Sequence, residues 1–149
     1  MVSIAVEPPV QVQRGAVLYP PLVVGCQADP DTFFQIQLVD AHGTVIYGEN
    51  ILQGTLQASP QTLDAPPRGS RSYSTFAVFT DLVITTSGTY TLQVNAYKMD
   101  YDSMPPSMVH TAQIASRNIR VRSSSVARES PSSSERRLLA TLSENGFSI

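Results

Sequence analysis

FTDLVITTSGTYTLQVNAYKM, residues 79–99, is the stretch on which the fold turns. In its second half Tyr90, Leu92, Val94 and Ala96 share one face, and Thr91, Gln93, Asn95 and Tyr97 share the other. A half-buried strand needs that period of two, because successive side chains leave opposite faces of a sheet. Upstream, Phe79, Leu82 and Ile84 form a second apolar segment that runs into Thr85-Thr86-Ser87-Gly88. That is a turn cluster, and its glycine is free to take positive φ. The stretch therefore predicts two strands and their corner, the core hairpin of a β-sandwich.

Tyr90 sharpens the prediction. It follows Gly88 by two residues and precedes Leu92 by two. In immunoglobulin-like sandwiches a tyrosine at such a corner bonds its hydroxyl back to upstream backbone, two residues before a core position. Here Leu92 holds the place that a disulfide cysteine takes in an antibody domain. An ordinary hairpin in which Tyr90 only fills the core is the alternative, and it leaves the architecture unchanged.

With 149 residues the chain suits one domain, which can bury roughly 70% of the surface its unfolded form exposes. Cys26 is the only cysteine, so no disulfide within one chain is possible. A lone thiol fits a reducing compartment and reads as a small buried apolar side chain. No apolar run approaches the ~20 residues that span a bilayer, and MVSIAVEPPV lacks the basic and apolar regions of a secretion signal. The net charge of -2 hides an asymmetry: residues 1–110 carry -5 and the remainder +3. Taken whole, the chain is no obvious polyanion binder.

The other strands flank the central stretch. Ser3–Glu7 ends at Pro8-Pro9, which suits an edge. Val10–Pro21 reads as an irregular connection, and Leu22–Cys26 as a buried strand. Phe33–Asp40 alternates cleanly and closes through Ala41-His42-Gly43 onto Thr44–Tyr47. Leu52–Ala58 reads as one strand, and Ser59–Ser72 as a long polar connection. Ser74–Val78, Val109–Ala115 and Asn118–Arg122 complete the sheets, so the sandwich spans about residues 3–122. After a serine-rich linker over about 123–131, Ser132-Ser133-Ser134-Glu135 has the capping-box pattern. Leu138, Leu139 and Leu142 then form an apolar stripe, and Gly146 is a good stop. One amphipathic helix is predicted over about 133–144, with a short final segment at 146–149.

No catalytic constellation emerges. His42 and His110 have no metal-ligand spacing, there is no zinc or phosphate-loop motif, and Ser87 lacks the glycines of a nucleophile elbow. Asp100 and Asp102 allow a cation site or an ordinary solvated turn. The chain is expected not to be an enzyme and to use no cofactor or metal. What remains is basic: Arg117, Arg120, Arg122 and Arg128 lie on and after a strand, and Arg14 stands in the N-terminal connection. Such a set is either a solvated sheet face that discourages edge pairing or a group of phosphate contacts.

Taken in order, VEPP (7–9 with Val6), YPPLVV (19–24), DPDTFFQIQLVD (29–40), GTL (54–56), FTDLVITTSGTYTLQV (79–94) and SSSERRLLATLSENGFSI (132–149) resemble the fungal velvet domain. The resemblance covers most of the chain from Ile4 onward. It implies a β-sandwich of the immunoglobulin and Rel-homology type with a C-terminal helix. It also implies a nuclear transcriptional regulator of fungal development and secondary metabolism, which can shuttle with the cytoplasm. Its partners would be another velvet-domain protein in a homo- or heterodimer, a methyltransferase-like regulator and duplex DNA, with no membrane. Two departures stand out: VQVQRGAVLYPP (10–21), where Arg14 and Gly15 correspond to the family's A-R-x-x-G, lacks the D-R-R element that follows it, and Thr80 replaces the proline of F-P-D-L. The DNA contacts expected here are Arg14, Arg117, Arg120, Arg122 and Arg128. A scaffold of the immunoglobulin type that joins regulators without touching DNA is the alternative.

Overall fold

A computed structural model describes residues 2–27, 31–46, 50–63 and 75–147. In chain order the strands are β1 Val2–Val6, β2 Gln11–Gln13, β3 Leu22–Cys26, β4 Thr32–Asp40, β5 Val45–Ile46, β6 Leu52–Gln53 and β7 Gln57–Ala58. They continue with β8 Gln61–Thr62, β9 Thr75–Phe79, β10 Val83–Ile84, β11 Gly88–Asp100, β12 Ser107–Ala115 and β13 Ile119–Arg122, followed by the helix α1 Ser133–Glu144. One sheet has the order β1-β3-β9-β8. The other runs β2-β13-β11-β4-β5, with β12 beside β11 and β7 beside β4, while β10 and β6 form a small ribbon. The protein is mainly β, a sandwich with a C-terminal helix.

Alternation builds the core. Leu22, Val24, Ala77 and Phe79 of the first sheet meet Phe34, Ile36, Leu38, Leu92 and Val94 of the second in one buried cluster. Each of these Val, Leu, Ile and Phe side chains contributes roughly 1.5–3 kcal/mol on full burial. On the opposite face of the first sheet, Val6, Val23 and Phe76 join Leu138, Leu139 and Leu142 of α1. Because both faces are covered, every residue of β3 is buried. The capping box is present: the Glu135 N–H donates to Ser132 Oγ, and the Ser132 N–H donates to Glu135 Oε1. Gly146 ends the helix at φ +94°.

The structure corrects the central expectation. β9 and β10 do not pair with β11: β9 belongs to the first sheet, β10 pairs β6, and β11 is the long strand of the second sheet. Residues 79–99 thus pass from the first sheet through the β6–β10 ribbon into the second sheet instead of forming a hairpin, and both apolar segments face one core. Tyr90 does make the corner, its hydroxyl donating to the Ser87 carbonyl over 3.2 Å.

Two further expectations are overturned. Residues 10–21 hold β2, whose Val12 is buried between exposed Gln11 and Gln13 and which lies parallel to β13. Residues 52–58 are two short strands, not one. They are broken at Gly54, whose φ is +119° and where an added Cβ would stand 2.4 Å from the Asp81 carbonyl oxygen. Asp81 clamps the break by accepting from the Thr55 N–H and hydroxyl. The connection expected at 59–72 contains β8, and its remainder beyond residue 63 lies outside the described residues, as does Tyr47.

Candidate functional site

Three of the five arginines come together at one end of the second sheet. In the parallel pairing of β13 with β2, Arg120 stands opposite Gln11 and Arg122 opposite Gln13. Ile119 and Val121 fill the core, so period two sends Arg120 and Arg122 out to solvent. Arg14 follows directly, its N–H donating to the Arg122 carbonyl over 2.8 Å. None of the three has an ion-pair partner among the described residues. Arg122 makes only a long hydrogen bond, 3.3 Å, to Gln11 Oε1.

Arg120 and Arg122 line an open notch of about 390 Å³ with Ser87, Gly88, Thr89, Ser123 and Ser124. Thr89 is the cross-strand partner of Arg120. Two guanidinium groups and four hydroxyls around one concavity offer only donors and neutral acceptors, with no carboxylate on the wall. That composition suits an oxyanion such as a phosphate. The Tyr90 hydroxyl holds the Ser87 carbonyl, which fixes one lip of the notch to the core. Burial, together with the Asp40 charge, raises the Tyr90 pKa, so the phenol remains a donor at neutral pH.

Arg117 and Arg128 are placed differently. Arg117 forms an ion pair with Glu129, its Nε donates to the Pro8 carbonyl, and its backbone N–H donates to Glu7 Oε1. The other Glu129 oxygen accepts from the Val10 N–H. Arg128 lies 3.8 Å above the centre of the Tyr19 ring, a cation–π contact. These two arginines fasten the segment before α1 onto the N-terminal strand region and do not line the notch, although Arg128 shares a separate open groove with Arg122, Gln11 and Glu129. A larger groove of about 660 Å³ runs between Val17–Tyr19 and Val126–Glu129. Its one arginine is Arg128, beside Glu129, which makes it a poorer anion site.

Glu135 completes the fastening. Burial opposes its charge, but the N–H groups of Ser132 and Glu7, the Ser132 hydroxyl and the Arg117 charge hold its carboxyl below the ordinary glutamate value. Asp100 and Asp102 form a local turn in which Asp100 Oδ1 accepts from the Asp102 N–H. No group of three metal-ligating side chains converges among the described residues.

The notch residues that sequence reading did not select are Ser87, Thr89, Ser123 and Ser124. Their signal was weak: a turn cluster and a serine run lie more than thirty positions apart, and only the β11–β13 pairing brings them to Arg120. No protein-family model matches this chain, and neither does any curated protein. The candidate site therefore rests on its own geometry: a sandwich end where Arg120 and Arg122 meet a ring of hydroxyls, with Arg14 bonded through its backbone to Arg122.

Proposed function

We propose that this chain is a velvet-type regulator of transcription, nuclear and dimeric, that touches the phosphate backbone of duplex DNA through Arg14, Arg120 and Arg122. In this reading it couples fungal development to secondary metabolism, its partner is a second velvet-domain subunit, and a methyltransferase-like regulator is a further one. The notch carries the DNA part of the proposal: two exposed arginines without carboxylate partners among hydroxyls are what a phosphate contact requires. The sandwich with its tyrosine corner and the capped C-terminal helix support the family reading. A non-DNA-binding scaffold is the second reading, favoured by the exposed apolar side chains Tyr101, Met104, Met108 and Val109.

The deciding experiment is the salt dependence of binding to a mixed pool of duplex DNA. Each phosphate neutralised contributes about -0.9 to the slope of log affinity against log salt. Arg120→Ala and Arg122→Ala should each flatten the slope by about that amount, whereas Arg117→Ala should leave it unchanged. No binding at low salt, or a slope insensitive to Arg120 and Arg122, would move the assignment to the scaffold.

A further inference from the structure

RVRSSSV, residues 120–126, joins the last strand to the irregular segment before α1. Ser125 stands three residues after Arg122 and five after Arg120, and it is the one serine or threonine of the chain with arginine at both spacings. Protein kinases choose substrates by such charge patterns, their acidic clefts pairing with arginines placed ahead of the acceptor. β13 is extended here, so period two sets Arg120 and Arg122 on one face, both exposed. The acceptor then leaves the sheet. Residues 123–132 form neither strand nor helix, Ser125 is exposed, and its hydroxyl makes no hydrogen bond among the described residues.

The surroundings of Ser125 suit a phosphate. It lines an open groove of about 500 Å³ with Gln11, Arg122, Arg128 and Glu129. Arg128 is held by the Tyr19 ring and makes no hydrogen bond or ion pair among the described residues, so its N–H donors are free for an anion. Arg122 has only its 3.3 Å bond to Gln11. Glu129 is the one carboxylate on the wall, and both its oxygens are engaged, by the Val10 N–H and by Arg117. Two guanidinium groups therefore face a hydroxyl whose phosphate would carry a charge of about -1.5 to -2 at neutral pH.

We infer that Ser125 is a phosphorylation site for an arginine-directed serine kinase, and that its phosphate binds Arg122 and Arg128 of the same chain. In the transfer the γ-phosphorus of ATP bonds to Ser125 Oγ as its bond to the bridging oxygen breaks. ADP leaves with that electron pair, and the hydroxyl proton passes to the kinase's aspartate. The phosphate then takes charge-assisted bonds from both guanidinium groups. The consequence rests on the DNA reading above, whereas the site does not. Arg122 lines both this groove and the arginine notch, so a phosphate that holds it in the groove withdraws it from the notch. Tethering places that phosphate at an effective concentration on the order of millimolar. Phosphorylation thus weakens the grip of the notch on DNA.

The test treats the full chain with MgATP and a kinase that selects arginine five and three residues before serine. Mass spectrometry should place the phosphate on Ser125, and Ser125→Ala should abolish incorporation at 123–125. Phosphorus NMR then follows the second pKa of the phosphate, ordinarily about 6. Two neighbouring cations should lower it by about one unit. Arg128→Ala, which leaves the kinase pattern intact, should restore much of that shift. Both substituted side chains are exposed, so both variants should fold. The salt slope of DNA binding should flatten by about 0.9 on phosphorylation and recover with a phosphatase. No phosphate on Ser125 of the folded chain, or a phosphate pKa that is ordinary and indifferent to Arg128→Ala, overturns the inference whether or not the chain binds DNA. A lowered pKa with an unchanged slope keeps the site and overturns the control of DNA binding. If neither form binds DNA, the DNA reading falls and the titration alone upholds the site.

Discussion

Replacing Glu135 with alanine isolates the joint between the helix and the sandwich. Its two carboxylate oxygens accept from the Ser132 N–H over 3.0 Å and from the Glu7 N–H over 2.9 Å. The first bond closes the capping box, and the second ties α1 to the end of β1. A hydrogen bond to a charged group is worth about 1.5–3 kcal/mol where it is shielded, and less where water competes. The Ser132 bond is exposed and the Glu7 bond partly buried, so the pair should contribute roughly 2 kcal/mol in total. That magnitude corresponds to a fall in Tm of about 5–10 °C for a domain of this size.

The pH dependence gives the sharper reading. The Glu135 pKa is depressed on folding, so its contribution is fully present above the unfolded value, about 4.3. It fades as pH falls through the folded value. The carboxyls of Asp40 and Asp81 are also held low, but wild type and variant share them, so they cancel in the comparison. Urea unfolding of both proteins at neutral pH and through the acid range measures the difference. The two stabilities should stand apart at neutral pH and converge in acid. A gap that persists undiminished in acid would show that Glu135 acts through packing rather than charge, and no gap at pH 7 would refute the joint itself.

Other perturbations test the helix packing, the tyrosine corner and the Gly54 break. Leu142→Ala removes a side chain with no exposed surface and should cost about 2–5 kcal/mol in denaturant unfolding. Tyr90→Phe deletes the corner hydrogen bond and should cost about 1 kcal/mol. It should also loosen the Ser87 lip, which a weakened DNA affinity in Tyr90→Phe would register. Gly54→Ala puts a Cβ against the Asp81 carbonyl at a strained φ, and thermal unfolding should show a loss larger than the 1–3 kcal/mol of backbone strain alone.

Sequence reading reached the elements whose instructions are local. The capping box, the leucine stripe and Gly146 specify α1 within fifteen residues, and the helix lies where they put it. Tyr90 with Gly88 and Ser87 specifies a corner within four residues, and the bond forms. Pairing was less legible, because a strand's partner is chosen by layers, not by neighbours. Val12 between two glutamines is a three-residue alternation, too short to separate from a loop, and it becomes a strand only because β13 lies parallel beside it. Residues 79–84 looked like the mate of 88–100, because two apolar segments that face one core resemble the two arms of a hairpin whether or not they pair. The division of the arginines was invisible for the same reason. Glu129 lies twelve residues from Arg117 and 119 from Val10, and only the folded chain shows that it engages both.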